Sequence, residues 1–126
     1  VGAGNIGKAI GSYEWFRDEG FEIEAIFDIS PHLIGNFHGG CVIRPFNELP
    51  AYLGKHPADV GIIATPKASS QDVCDRFVEG GVKAIWNFSP KHLDVPDDVV
   101  VEDIHLTDSL LRLAFRLNER EVSTRS

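Results

Sequence analysis

The sequence predicts an α/β fold built on a doubly wound parallel sheet, and three observations carry that expectation. Residues Gly2-Ala3-Gly4-Asn5-Ile6-Gly7 form a G-x-G-x-x-G run that opens a helical pattern. Short apolar runs of strand length then alternate with amphipathic stretches of helical period, which implies right-handed crossovers between parallel strands. Asp28 closes the first full apolar run about twenty residues beyond the last glycine, where a dinucleotide fingerprint places its acidic residue.

In the glycine run, the first glycine permits a tight turn out of a strand and the second lets the backbone approach a pyrophosphate. The third allows close helix–strand packing, and free N–H groups at the helix start would hold phosphates. Taken alone, the motif is also compatible with a glycine-rich turn that binds nothing. Ile6, Ala9, Ile10, Tyr13 and Phe16 follow i, i+3, i+4, i+7 spacing and predict a helix ending at Glu19-Gly20. Phe21 to Phe27 begins with alternation and becomes fully apolar at Ala25-Ile26-Phe27, as a strand entering a sheet interior does.

Residues 31–40 read as a loop closed by Gly39-Gly40, followed by a short strand Cys41-Val42-Ile43. Asn47 reads as the cap of a short helix through Leu53, with Pro50 in its first turn. Asp59 to Ala64 is a buried strand ending at Thr65-Pro66. Ser69 with Asp72 resembles the cap of a helix whose buried face is Val73, Cys74, Phe77 and Val78, stopped by Gly80-Gly81. Val82 to Trp86 and Val99 to Asp103 read as two further strands, the first running out into Asn87-Phe88-Ser89-Pro90.

In a sheet of this kind ligands sit beyond the carboxyl ends of the strands. Gly2 to Gly7, Asp28, Thr65-Pro66 and Asn87 to Pro90 all fall there. Asp28 can accept hydrogen bonds from adenosine ribose hydroxyls, or it can simply shape the turn before Ser30-Pro31. No arginine follows closely enough to take a 2′-phosphate, which favours NAD over NADP.

With 126 residues, 43% of them hydrophobic, the chain suits one domain with a real core. Its formal net charge of −7 argues against direct contact of these residues with nucleic-acid phosphates. Cys41 and Cys74 stand in apolar runs without a C-x-x-C and read as reduced and buried in a cytoplasmic protein. His32, His38, His56, His92 and His105 show no metal-ligand spacing, and no apolar run reaches the ~20 residues of a membrane span. The chain has no methionine and starts one residue before the glycine run. A strand of about five residues is expected there, so the sequence reads as a fragment of a longer protein.

The last helix, placed at 107–119, has an unusually wide apolar face. Leu106, Leu110, Leu111, Leu113, Ala114, Phe115 and Leu117 cover about 200° of its circumference, where a surface helix needs a stripe of about 100°. The excess points to burial against two surfaces, the second being another subunit, with packing into its own core as the alternative. The expected organisation is therefore a nucleotide-binding domain over 1–104, a dimerisation helix over 105–121 and a loose tail over 122–126.

These residues resemble the Rex family of bacterial redox-sensing transcriptional repressors. The likeness spans nearly the whole chain. It is carried by the Gly-Ala-Gly-Asn-Ile-Gly loop, Ser12-Tyr13 with Phe16, Gly20-Phe21-Glu22, Ala25-Ile26-Phe27-Asp28, Thr65-Pro66, Asn87-Phe88-Ser89-Pro90, and Val101-Glu102 leading to Leu113-Ala114-Phe115. The resemblance implies a Rossmann-type domain binding NAD(H) and an absent N-terminal winged helix that binds operator DNA and is released by NADH. It places Gly2, Gly4 and Gly7 at the pyrophosphate and Asp28 at the adenosine ribose, with Thr65, Pro66, Asn87, Phe88 and Pro90 at the nicotinamide half. It also marks Tyr13 as a tyrosine whose partners change with redox state, and the last helix as one exchanged within a homodimer. Where the family commonly has Asp-Phe, this chain has His105-Leu106. The acidic partner of the tyrosine and the ring covering the partner's nicotinamide are thus replaced, and His105 is a candidate for the hydrogen bond.

Two other readings share this fold. One is the cofactor domain of an NAD-dependent dehydrogenase, against which Asn87-Phe88-Ser89-Pro90 stands where a Glu-Lys-Pro is expected and no catalytic residue is evident. The other is a CoA-binding domain, disfavoured by Asp28.

Overall fold

A computed structural model describes residues 1–4, 10 and 15–125. Among these, helix α1 (Trp15–Asp18) leads to strand β1 (Ile26–Asp28), and the hairpin β2 (Phe37–His38) and β3 (Cys41–Pro45) follows. A 3-10 turn (Phe46–Glu48) runs into α2 (Leu49–Lys55), then come β4 (Val60–Ile63), α3 (Lys67–Glu79), β5 (Ala84–Asn87), β6 (Val100–Asp103) and the long α4 (Leu106–Arg125).

The strands form two groups. In one, β1 pairs with β3 in parallel, Ile26 opposite Ile43, while β2 adds antiparallel to β3. In the other, β4, β5 and β6 are parallel, with Ile63 opposite Asn87 and Asn87 opposite Asp103. Val1 and Gly2 join the two groups: the Gly2 N–H donates to the Phe27 carbonyl at 2.9 Å, and the Val1 carbonyl accepts the Ala64 N–H at 2.9 Å. The order is thus β2-β3-β1, then residues 1–2, then β4-β5-β6. The direction of winding reverses at residues 1–2, and the reversal opens a crevice at the carboxyl ends of the strands.

Alternation along the strands assigns a core to each face. Phe27, Ile63 and Ile85 point to one side, packed with Leu49 and Leu53 of α2 and Val73, Cys74 and Phe77 of α3. Ile26 and Ile43 belong to a second, smaller cluster with Ala3. Trp86 meets Phe16 of α1 edge to face, 5.7 Å between centroids, so α1 covers the face opposite α3. Helices on both faces make the sheet doubly wound, as expected. Gly61 lies under the Phe77 ring, where a Cβ would come 2.8 Å from Cγ, so the bare backbone lets α3 settle on β4.

Several local expectations are corrected. The strand expected over 21–27 is paired only from Ile26, and Phe21 is exposed. Residues 31–40, read as a loop, contain β2, because Gly39-Gly40 closes a two-residue hairpin. Asn47 is no cap; it sits inside the 3-10 turn that leads into α2. Ser69 is no cap either: α3 starts at Lys67, and the Ser69 hydroxyl donates back to the Pro66 carbonyl at 3.1 Å. Gly80-Gly81 does stop α3, with the Val82 N–H returning to the Phe77 carbonyl and that of Gly81 to Val78. Residues 122–125 are helical, since neither glycine nor proline stands there to end α4.

Replacing Gly61 by alanine should push a methyl into the Phe77 ring. Chemical denaturation of Gly61→Ala is expected to show a loss of about 1–3 kcal/mol, the usual cost of overpacking.

Candidate functional site

The glycine run begins at the winding reversal, and its first residue has no room for a side chain. Gly2 has φ +102°, and a Cβ on it would come 2.5 Å from the Ala64 carbonyl oxygen. A Cβ on Gly4, by contrast, meets nothing within 4 Å, so one glycine locks the turn against β4 while the second leaves its backbone open to a ligand. Between them, buried Ala3 donates its N–H to Asp28 Oδ2 at 2.7 Å. The other carboxylate oxygen, Oδ1, accepts the Ser30 N–H at 2.8 Å.

Of the two roles the sequence allows, the described contacts show Asp28 in the second, shaping the turn before Ser30-Pro31. Oδ1 shapes the turn after β1 and Oδ2 ties that turn to the glycine run. A carboxylate offers about four lone-pair sites, of which two are used among the described residues. Asn5, Ile6, Gly7 and Tyr13 lie outside the described residues.

On the other side of the crevice, the ends of β4 and β5 are knitted together by polar groups. Asn87 is fully buried. Its amide donates to the Lys91 carbonyl and to Asp103 Oδ1, each at 2.9 Å, and its Oδ1 accepts the Ser89 N–H at 3.0 Å. Both its donors are spent within the protein, so Asn87 shapes the Asn87–Pro90 turn and does not itself face the crevice. The Phe88 N–H donates to the Ile63 carbonyl at 2.8 Å, fastening that turn to β4. Phe88 is half-buried and packs edge to face on Trp86, 4.7 Å between centroids, which extends an apolar aromatic wall from Phe16 to the crevice. Pro66 and Pro90 are exposed, and Ser89 is buried.

Ser70 was missed by sequence reasoning. It is fully buried, and its hydroxyl reaches the Pro66 carbonyl at 2.9 Å, the Ser89 hydroxyl, and Thr65 Oγ1 at 3.3 Å. The signal lay in its position, since Ser70, Val73, Cys74 and Phe77 share one face of α3, and a polar residue on a buried face demands partners. Asp103 was likewise visible only as a strand end, although its carboxylate anchors Asn87.

The remaining candidates are His105 and Leu106, where α4 begins, and the two cysteines. His105 is exposed and its Nδ1 stands 3.7 Å from Asp108 Oδ2. Leu106 is the first residue of α4. Cys74 is buried, but Cys41 is only half-buried, its thiol donating towards the Glu24 carbonyl at 3.5 Å. Burial pushes both thiols up, helped at Cys74 by Asp75 and opposed at Cys41 by Arg44, so neither is a thiolate at neutral pH. Among the described residues no three His, Cys, Asp or Glu side chains come together to hold a metal, and no helix is long and apolar enough to cross a membrane.

A sheet whose winding reverses at a glycine turn, with a carboxylate at the next strand end, defines a nucleotide-binding domain. The chain belongs to the CoA-binding domain family, whose family model matches residues 1–91. Within it, the similar proteins are Rex repressors. The chain is 49% identical over 121 residues to the redox-sensing transcriptional repressor Rex of Clostridium beijerinckii, covering 96% of this chain and 57% of the relative. It is 50% identical over 121 residues to that of Clostridium kluyveri, covering 96% and 58%. The crystal structure of RSP, a Rex-family repressor, superposes with a TM-score of 0.89 at 42% identity, over 98% of this chain and 59% of that one. RSP has also been solved with beta-NADH, and with beta-NAD+ and operator DNA. The chain thus spans under two thirds of the length of these relatives.

Asn87→Ala should leave the Lys91 carbonyl, the Asp103 carboxylate and the Ser89 N–H without their partner. Urea unfolding is expected to show a midpoint lowered by about 1–3 kcal/mol equivalent, with an unchanged slope.

Proposed function

We propose that this chain is the NADH/NAD+-sensing and dimerisation domain of a Rex-type redox-sensing repressor, in which cofactor binding controls contact with operator DNA. The observation that carries the reading is the Ala3–Asp28 hydrogen bond at the winding reversal, which sets a ribose-binding carboxylate against a phosphate-binding turn. Gly2, Ala3 and Gly4 would line the pyrophosphate with Asn5, Ile6 and Gly7 continuing that turn, and Asp28 would take the adenosine ribose hydroxyls. Thr65, Pro66, Phe88 and Pro90 would face the nicotinamide half, with Asn87 and Ser89 holding their turn. Tyr13, His105 and Leu106 are the switch candidates. Operator contact would belong to the part of the relatives that this chain does not span, in keeping with its net charge of −7. The role is regulatory, in line with relatives named as repressors.

Sensing requires that the two redox forms bind differently, because a ligand shifts an equilibrium only through differential affinity. The nicotinamide of NAD+ is cationic and that of NADH is neutral. An apolar wall of Phe88 and Trp86 penalises an unpaired buried charge and so favours NADH. Calorimetric titration should show NADH binding more tightly than NAD+; equal affinities would remove the sensing role and leave a dinucleotide-binding domain.

CoA binding is the second reading, favoured by the family model. CoA carries a phosphate on its adenosine ribose, which the Asp28 carboxylate would repel. The same titration with CoA should show no binding.

For the dimer, the support is the apolar surface of α4: Leu110, Leu111, Leu113, Phe115 and Leu117 are each at least 60% exposed. A helix that leaves such a face in water gains by burying it against a second copy. Sedimentation should find a dimer, and Leu113→Glu with Phe115→Glu should convert it to monomer without loss of the sheet.

A further inference from the structure

Among the described residues, helix α4 is tied to the sheet at its root. Residues 108–120 are all exposed, and none of them joins either core cluster. The segment that carries the helix is the end of β6, and there two consecutive residues take hold of Asn87. The Ile104 N–H donates to the Asn87 carbonyl at 2.9 Å, and Asp103 Oδ1 accepts from the Asn87 side-chain amide, also at 2.9 Å. Helix α4 begins at Leu106, two residues further on.

Asn87 passes that grip to the crevice. Its amide is fully used: the nitrogen donates to Asp103 and to the Lys91 carbonyl, and Oδ1 accepts the Ser89 N–H. A carboxylate and a carbonyl accept while an N–H donates, so these three partners fix one orientation of the amide. Two of the bonds lie within the turn that follows β5. The bond to Asp103 alone leads from the side chain to the root of α4.

We propose that Asp103 is a positioning residue that joins the crevice to the dimerisation helix: by holding the Asn87 side chain, it makes the shape of the turn after β5 depend on where α4 is held. This rests on the reading of the chain as a dimerising, dinucleotide-binding domain. When a second copy fixes α4, residues 103 and 104 fix Asn87, and the turn is preorganised for the dinucleotide. The dimer then binds it more tightly than the monomer does, and the dinucleotide tightens the dimer by the same factor. Asp103 acts through Asn87 and touches no ligand.

The test is a double-mutant cycle read as NADH affinity, because a cycle reports the coupling between two changes whatever each costs alone. One arm is monomerisation by Leu113→Glu with Phe115→Glu, and the other is Asp103→Ala. With Asp103 in place, monomerisation should weaken NADH binding at least about 5-fold, the lower end of typical coupling between sites. In the Asp103→Ala background, dimer and monomer should bind NADH within about 2-fold of each other. Asp103→Asn still offers Asn87 an acceptor oxygen and should restore the difference. If Asp103→Ala does not fold, hydrogen exchange with Asp103 intact decides the matter: monomerisation should hasten exchange of the Ser89 N–H, which is held by Asn87. A difference that persists in Asp103→Ala overturns the proposal, as does equal binding by dimer and monomer with Asp103 in place, or unchanged exchange at Ser89. A native chain that sediments as a monomer or binds no NADH overturns the underlying reading, and the proposal with it.

Discussion

The hydrogen bond from the Ala3 N–H to Asp28 is the contact on which the rest of the crevice depends. It joins the turn at the start of the chain to the end of the neighbouring strand, and it does so beside the one place where the sheet changes winding direction. Gly2 makes that position possible, because only a residue without a Cβ fits against the Ala64 carbonyl. The two constraints act together: the glycine brings the backbone in, and the carboxylate holds the next amide. With Ala3 buried and its N–H satisfied, the Gly4 backbone is left as the part of the turn that faces outward.

The opposite wall of the crevice is stiffened by a different means. There the polar groups are buried, and each is paired with another protein group. Asn87 spends its amide on Lys91, Asp103 and Ser89, while Ser70 gathers Thr65, Pro66 and Ser89. Networks of this sort stabilise only when complete, since one orphaned group in a dry interior costs more than the bond it replaces. Together they fix the geometry of the turns at the ends of β4 and β5.

Helix α4 departs from the sheet with its apolar residues in water. In this single chain Leu110, Leu111, Leu113, Phe115 and Leu117 are exposed and do not join the core of the sheet. The polar pair His105–Asp108 at its start stays on the surface, well suited to solvent and to no buried role within one chain.

Much of this was legible in the residues. Alternating apolar runs specify parallel strands, the glycine spacing specifies the turn, and Asp28 falls where the fingerprint requires, because these are local periodicities that the backbone obeys wherever it is placed. Strand and helix ends were less legible: Asn47 and Ser69 look like caps by residue type, yet the neighbouring prolines and tertiary packing start each helix elsewhere. The polar networks were hidden for the same reason. That Asn87 turns inward to Asp103, and that Ser70 reaches Thr65 and Ser89, depends on which strands become neighbours, a fact carried by no local pattern. By itself the sequence determined the fold class, the position of the nucleotide turn and the wide apolar face of the last helix. Only the tertiary structure decided which polar residues face the crevice and which are consumed in building it, because hydrogen-bond partners far apart in the chain meet only once the sheet is assembled.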